Sequence, residues 1–185
     1  MARMVMERAD VLSLLGEAFR EHGYEGASLS VITKQTGLGR GSLYHFFPGG
    51  KAEMAAAVLE DIEAWFEREI FAPLRSEADA QTAIDAMWEA VSAYFQSGQR
   101  VCLVGAFALS DTRDRFASAV NAYFERWIEA LADALRRRGH DANSADALAE
   151  QVVAGIQGAI TLARARRDAG LFERVVAGLR AMTEK

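Results

Sequence analysis

The sequence predicts an all-α protein with an N-terminal three-helix domain over residues 1–50, joined by a long helix to a helical bundle over 51–185. Three observations predict it. The chain has only two prolines, Pro48 and Pro73, so long helices run without an imposed break. Strong helix formers, Ala, Leu, Glu and Arg, are abundant throughout. Apolar residues recur at three-and-four spacing between glycines, the period of a helix with one buried face. At 185 residues with 51% hydrophobic content, the chain is long enough for a core.

The first helix is expected at about 9–22, with Val11, Leu12, Leu15, Ala18 and Phe19 on one face and Gly23 stopping it. Ser28 is an N-cap candidate for a short second helix whose inward residues are Leu29, Ile32 and Thr36. Gly37 stands where a helix end favours a left-handed residue. A third helix, about 40–47, follows with Leu43 and Phe47 inward. The fourth is expected over about 51–71, burying Ala55, Val58, Leu59, Ile62, Phe66 and Ile70; at 1.5 Å per residue it spans roughly 30 Å. Further helices are expected over about 78–97, 103–109, 113–138, 144–167 and 171–182, punctuated by Gly98, Ser110-Asp111, Gly139 and Gly170.

Two short helices joined by a glycine-containing turn form the arrangement that places a second helix in a DNA major groove. Charge supports this. No acidic residue lies between Gly26 and Pro48, whereas the chain as a whole carries −5, so a phosphate-facing surface is not repulsive. The residues expected to meet DNA are Ser28, Thr33, Lys34, Arg40, Gly41, Ser42, Tyr44, His45 and Lys51. Arg40 suits a base edge or a phosphate, Tyr44 and His45 a phosphate or thymine methyl, and Gly41 a close backbone approach. The bland alternative is a glycine-broken helical hairpin buried in a core.

The same stretch resembles the TetR-type transcriptional repressors. The resemblance rests on Gly23-Tyr24, Ala27-Ser28-Leu29, Ile32-Thr33, Thr36-Gly37-Leu38, Arg40-Gly41-Ser42-Leu43-Tyr44, Phe47 and Lys51, and covers roughly residues 8–60. The Phe47-to-Lys51 loop is one residue longer than usual in the family and looks like the LmrA and YxaF branch. Cys102-Leu103-Val104-Gly105 and the stretch from Arg164 to Phe172 are similar to that branch as well. Gly39 stands where Ser or Thr commonly caps the recognition helix, and Phe46 where His or Tyr is common, so base preference does not carry over. The resemblance implies a ligand-responsive repressor with an inducer pocket. Because some members of the branch answer to flavonoids, it also makes a planar aromatic effector an expectation.

The bundle is rich in aromatic residues, which serve equally as ordinary core or as the lining of an apolar ligand cavity. Trp65, Trp88, Phe107 and Trp127 are the residues expected nearest a ligand. Small residues interleaved with Leu148, Val152, Ile156 and Ile160, and the apolar face of the last helix, suit close helix packing. The expectation is a homodimer through about 144–167 and 171–182. Such a dimer presents two reading heads to a palindromic operator.

Other chemistry finds little support. Cys102 is alone and reads as a small buried hydrophobe. His22, His45 and His140 share no metal-ligand spacing, and Ser110, Asp111 and Asp114 form no triad or acid–base pair, so neither metal, cofactor nor catalysis is expected. Arg136-Arg137-Arg138 reads as a solvated helix end that complements the dipole. A helical enzyme and a ligand carrier without a reader remain the rival classes. The charged start and the lack of an apolar run of about 20 residues predict a cytoplasmic protein with no membrane partner.

Overall fold

A computed structural model describes residues 7–184, and those residues contain no strand. Residues 1–6, part of the charged start, lie outside the described residues. In chain order the helices are α1 (Arg8–Gly26), α2 (Leu29–Thr36), α3 (Arg40–Phe46), α4 (Gly50–Phe66), α5 (Ala72–Ser76), α6 (Ala80–Tyr94), α7 (Leu103–Ala108), α8 (Thr112–Arg115), α9 (Ala117–Arg137), α10 (Ala142–Arg166) and α11 (Ala169–Thr183). They cluster into two compact units. One comprises the described residues up to 63 with 103–120, the other 64–102 with the described residues from 121 on.

Two predicted helices are subdivided. The α-helix expected to reach residue 71 gives way at Glu67–Phe71 to a wider π turn, in which the Ala72 amide donates to the Glu67 carbonyl, before α5 continues. Pro73 supplies the reason. It has no N–H to donate, and the wider turn plus a fresh first helical turn lets the chain pass it without stopping. The helix expected over 113–138 breaks at Phe116, with φ −119° and ψ 24°. That break directs the Phe116 ring onto Tyr24 at 5.5 Å and Phe107 at 5.6 Å.

In the first unit, the predicted α1 stripe is buried in full: Val11, Leu12, Leu15, Ala18 and Phe19. Ile32, Leu43 and Phe47 are completely inaccessible, as are Met54 and Ala55 on α4. Each fully buried side chain of this size contributes about 1.5–3 kcal/mol of transfer free energy, which is what holds helices this short in place. α7 and α8 arrive from the middle of the sequence, and the Phe107 ring meets Phe19 at 6.3 Å and Tyr24 at 6.2 Å edge-on.

The second unit is built around aromatic packing. Phe66 lies 4.9 Å from Tyr94, 4.8 Å from Tyr123 and 5.3 Å from Trp127 between ring centroids. α10 and α11 meet closely at Gly155, where a Cβ would stand 2.8 Å from both Leu179 methyl groups. The arginines at 136–138 are not simply solvated, as the sequence suggested. Arg137 donates to the carbonyls of Glu77 and Leu74, Arg138 to those of Thr183 and Glu184, and Arg136 pairs with Asp146. The triplet ties the end of α9 to three other segments.

Candidate nucleic-acid interface

The reader is assembled from local rules. Ser28 is extended, with φ −65° and ψ 160°, and its Oγ accepts the Val31 amide at 3.3 Å, satisfying one orphan donor at the start of α2. At the other end, Thr36 Oγ1 donates to the Ile32 carbonyl at 2.8 Å and accepts from the Leu38 amide at 3.3 Å. Gly37 then adopts φ 69° and ψ 4°, the left-handed conformation a side chain adopts only at a cost. Gly39 begins α3 without a side-chain cap. What holds α3 is therefore packing: Leu43 and Phe47 are inaccessible, and the Arg8 guanidinium sits 5.3 Å from the Phe47 ring centroid. Gln35 Nε2 donates to Glu21 Oε2 at 3.1 Å, fastening α2 to α1.

Burying Leu43 and Phe47 turns Arg40, Gly41, Tyr44 and His45 outward. All four are exposed, Tyr44 by 43%, while Ser42 is half-buried. The side chains of Arg40, Lys34, Tyr44 and His45 make no hydrogen bond or ion pair among the described residues. Their donors are therefore available to a ligand. On α2, Lys34 is exposed, and half-buried Thr33 donates its hydroxyl to the Ser30 carbonyl at 2.9 Å, leaving that oxygen only as an acceptor. Acids beside this face are engaged: Glu21 accepts from Gln35, Glu53 accepts the Gly49 amide at 2.5 Å, and Glu25 stands 3.9 Å from Lys51.

Lys51 is more constrained than its sequence position suggests. Its Nζ lies 4.4 Å from the Tyr24 ring centroid and donates to the Tyr24 carbonyl at 3.0 Å. The Arg115 guanidinium stands 5.3 Å from the same ring. Tyr24 is 6% exposed and also meets Phe19, Phe107 and Phe116. This post between two cations was missing from the sequence reading. Gly23-Tyr24 was visible as a motif, whereas Arg115 is brought to it only by the tertiary fold.

Residues 16–58 match the family described as "Bacterial regulatory proteins, tetR family", and residues 80–177 match "Transcriptional regulator LmrA/YxaF-like, C-terminal domain". The chain belongs to the TetR family of transcriptional regulators. It is a DNA-binding regulator and not an enzyme. It is 26% identical over 159 residues to the HTH-type transcriptional regulator LmrA of Bacillus subtilis, covering 84% of this chain and 85% of that one. Its identity to the uncharacterized regulator YxaF of the same organism is 26% over 166 residues, covering 87% and 86%. Among solved structures, a TetR regulator from Legionella pneumophila superposes with a TM-score of 0.81 at 22% identity, covering 97% of this chain and 98% of that one. A cysteine mutant of the regulator CifR, complexed with 26bp operator DNA, superposes at 0.75 with 23% identity and 98% coverage of both chains. These likenesses agree with the all-α fold.

The regulator's four expected ligand residues fall in different surroundings. Trp65 is half-buried, 4.5 Å from Tyr94. Trp88 is buried, with its Nε1 donating to Thr183 Oγ1 at 3.4 Å. Trp127 is inaccessible, 5.3 Å from Phe66, and its Nε1 has no partner among the described residues. Phe107 belongs to the first unit, packed on Phe19, Tyr24 and Phe116. Cys102 is buried and forms no disulfide among the described residues. No helix among the described residues is long and apolar enough to cross a membrane, and no group of three or more His, Cys, Asp or Glu among them can hold a metal ion.

Proposed function

We propose that the regulator is a cytoplasmic, dimeric, ligand-responsive repressor. Its two α3 helices enter successive major grooves of a palindromic operator, and a small hydrophobic or aromatic effector releases it. The observation that carries the DNA reading is the α2–α3 face. Lys34, Arg40, Tyr44 and His45 are exposed and their side chains have no hydrogen-bond or ion-pair partner among the described residues, on a stretch free of acids. Ser28, Thr33, Gly41, Ser42 and Lys51 complete the proposed contact set. The reader lies within residues 1–50, and ligand binding and dimerisation within 51–185.

Exposed apolar surface on the last two helices supports the dimer. Ala154, Gly158 and Leu162 recur at helical spacing on α10, with Leu162 50% exposed, and Met182 is 40% exposed on α11. In this reading the effector site involves Trp65, Trp88 and Trp127, with Trp127 Nε1 as the buried donor available to a polar atom of the ligand. A polar group buried without a partner is costly, which favours a ligand that supplies one. α4 begins in the first unit and ends in the second, making it the natural transmitter. Shifting the conformational balance by a factor of 100 requires about 2.7 kcal/mol of differential effector affinity.

The test is a gel-shift titration with duplex from the gene's own upstream region and with scrambled duplex, across salt concentrations. Sequence-dependent binding with a steep salt slope is expected. Tyr44→Ala should weaken it by about 1–3 kcal/mol without changing the melting temperature. Unchanged affinity in a folded Tyr44→Ala dimer refutes the assignment of this face.

A further inference from the structure

The second unit holds a cleft of 380 Å³ lined by Gly98, Gln99, Ala163, Arg164, Arg167 and Ala169. It lies where the turn before α7 meets the junction of α10 and α11, so it joins the Arg164-to-Phe172 stretch to the residues just upstream of Cys102. We propose that this cleft binds a small organic anion, a carboxylate or phosphate ester on a compact apolar body, through Arg164 and Arg167. The proposal goes beyond the effector site described above and shares no residue with it.

Charge is the first argument. Arg164 donates to the neutral Gln99 carbonyl at 2.6 Å, and Arg167 makes no hydrogen bond or ion pair through its side chain among the described residues. The acid at this corner, Asp168, is already engaged by Arg174 at 2.8 Å. Two arginines thus line one cleft, neither of them paired with a carboxylate among the described residues, in a chain whose formal net charge is −5. Guanidinium groups donate in a planar fork that matches carboxylate and phosphate oxygens, and an anion is a stronger acceptor than the carbonyl Arg164 now uses.

Preorganisation is the second. Gln96, Ser97 and Gly98 are all left-handed, with φ of 49°, 51° and 83°. Backbone hydrogen bonds hold the turn: Ser97 to the Ser92 carbonyl at 2.9 Å, Gln99 to Gln96 at 3.1 Å and Arg100 to Phe95 at 2.9 Å. Gly98 approaches Phe172 so closely that a Cβ would lie 2.7 Å from that residue's own Cβ. Across the cleft, Arg167 is left-handed too, at φ 53°. Main-chain conformation thus shapes both segments that line the cleft. Gly98, Ala163 and Ala169 supply small apolar lining, and the volume falls in the usual range for ligand sites, about 300–1,000 Å³.

The test is calorimetric titration of the full-length protein with benzoate and with phenyl phosphate, using benzamide and benzyl alcohol as neutral counterparts. Saturable binding of at least one anion is expected, with neither neutral compound binding. Arg164→Gln and Arg167→Gln, each verified as folded by circular dichroism and melting, should weaken binding at least about tenfold, the loss of one charge-assisted contact. Arg166→Gln, an exposed neighbour that does not line the cleft, should leave it unchanged. Absence of binding by both anions, equal binding of the neutral compounds, or equal loss in Arg166→Gln and the two lining variants overturns the proposal. DNA binding measured on the same variants reports separately on the reader.

Discussion

Phe107→Ala is the substitution that most sharply separates packing from ligand binding. Phe107 is 1% exposed, and its ring meets Phe19 at 6.3 Å, Tyr24 at 6.2 Å and Phe116 at 5.6 Å. Truncation removes the whole ring from a site closed on three sides by other rings that are themselves packed and slow to collapse inward. Phe-to-Ala changes in cores cost about 3–5 kcal/mol, and loss of three ring pairs places this one in the upper half of that range. A loss of about 4 kcal/mol lowers the folding equilibrium constant nearly a thousandfold, a large share of the 5–15 kcal/mol that holds a typical domain. Because α7 packs on α1, the damage should reach the reader. Amide exchange should accelerate in α1 and in residues 103–120, and operator affinity should fall although residue 107 touches no DNA. Denaturant unfolding followed by circular dichroism, with exchange read by mass spectrometry, measures both effects. Phe107→Leu, which refills most of the volume, should recover more than half of the loss. If Phe107→Ala costs less than about 1 kcal/mol yet abolishes effector response, the packing argument fails and Phe107 is a ligand residue after all.

Three further outcomes are expected. Gly37→Ala meets no steric obstacle, since nothing lies within 4 Å of the added Cβ, but φ is +69°; it should cost about 1–2 kcal/mol in denaturant unfolding through backbone conformation alone. Lys51→Met should flatten the salt dependence of operator binding by about one unit of slope, since the ammonium has donors beyond the one given to Tyr24. It should also lower the melting temperature, because the contacts at 3.0 Å and 4.4 Å are lost. The third concerns acid stability. Hydrogen bonds from Thr82 and Gln81 hold the Asp79 carboxyl below its ordinary value of 3.8, those from Ser144 do so for Asp141, and Arg174 does so for Asp168. A carboxyl with a lowered folded-state pKa stabilises above its unfolded value, and that contribution disappears as pH falls through the folded value. Stability should therefore be flat in these groups above about pH 5 and decline below about pH 4, and Asp141→Asn should make the decline shallower. A decline equally steep in that variant removes the cap from the explanation.

The reader was legible because every rule that builds it is local. A Ser28 cap, a left-handed Gly37 and inward Leu43 and Phe47 each act within a turn or two, and together they leave Arg40, Tyr44 and His45 facing out. The α1 stripe was equally legible, since helical spacing alone decides which side of a long amphipathic helix is buried. Helix limits were less so: the fourth helix was expected to end at about 71, but after a π turn at Glu67–Phe71 the chain carries on through Pro73 in α5.

By itself, then, the sequence determined an all-α chain with a helix-turn-helix at one end, because capping, glycine conformation and apolar period are properties of near neighbours. Only the tertiary structure decided that Phe107 and Phe116 pack in the reader's own unit, that Arg115 and Lys51 share the Tyr24 ring, that Arg137 and Arg138 cap distant carbonyls, and that Arg164 and Arg167 line one cleft with Gln99. Each of those pairings joins residues tens of positions apart. Which distant residues meet depends on how whole helices pack and on where a helix breaks, and no local spacing encodes either.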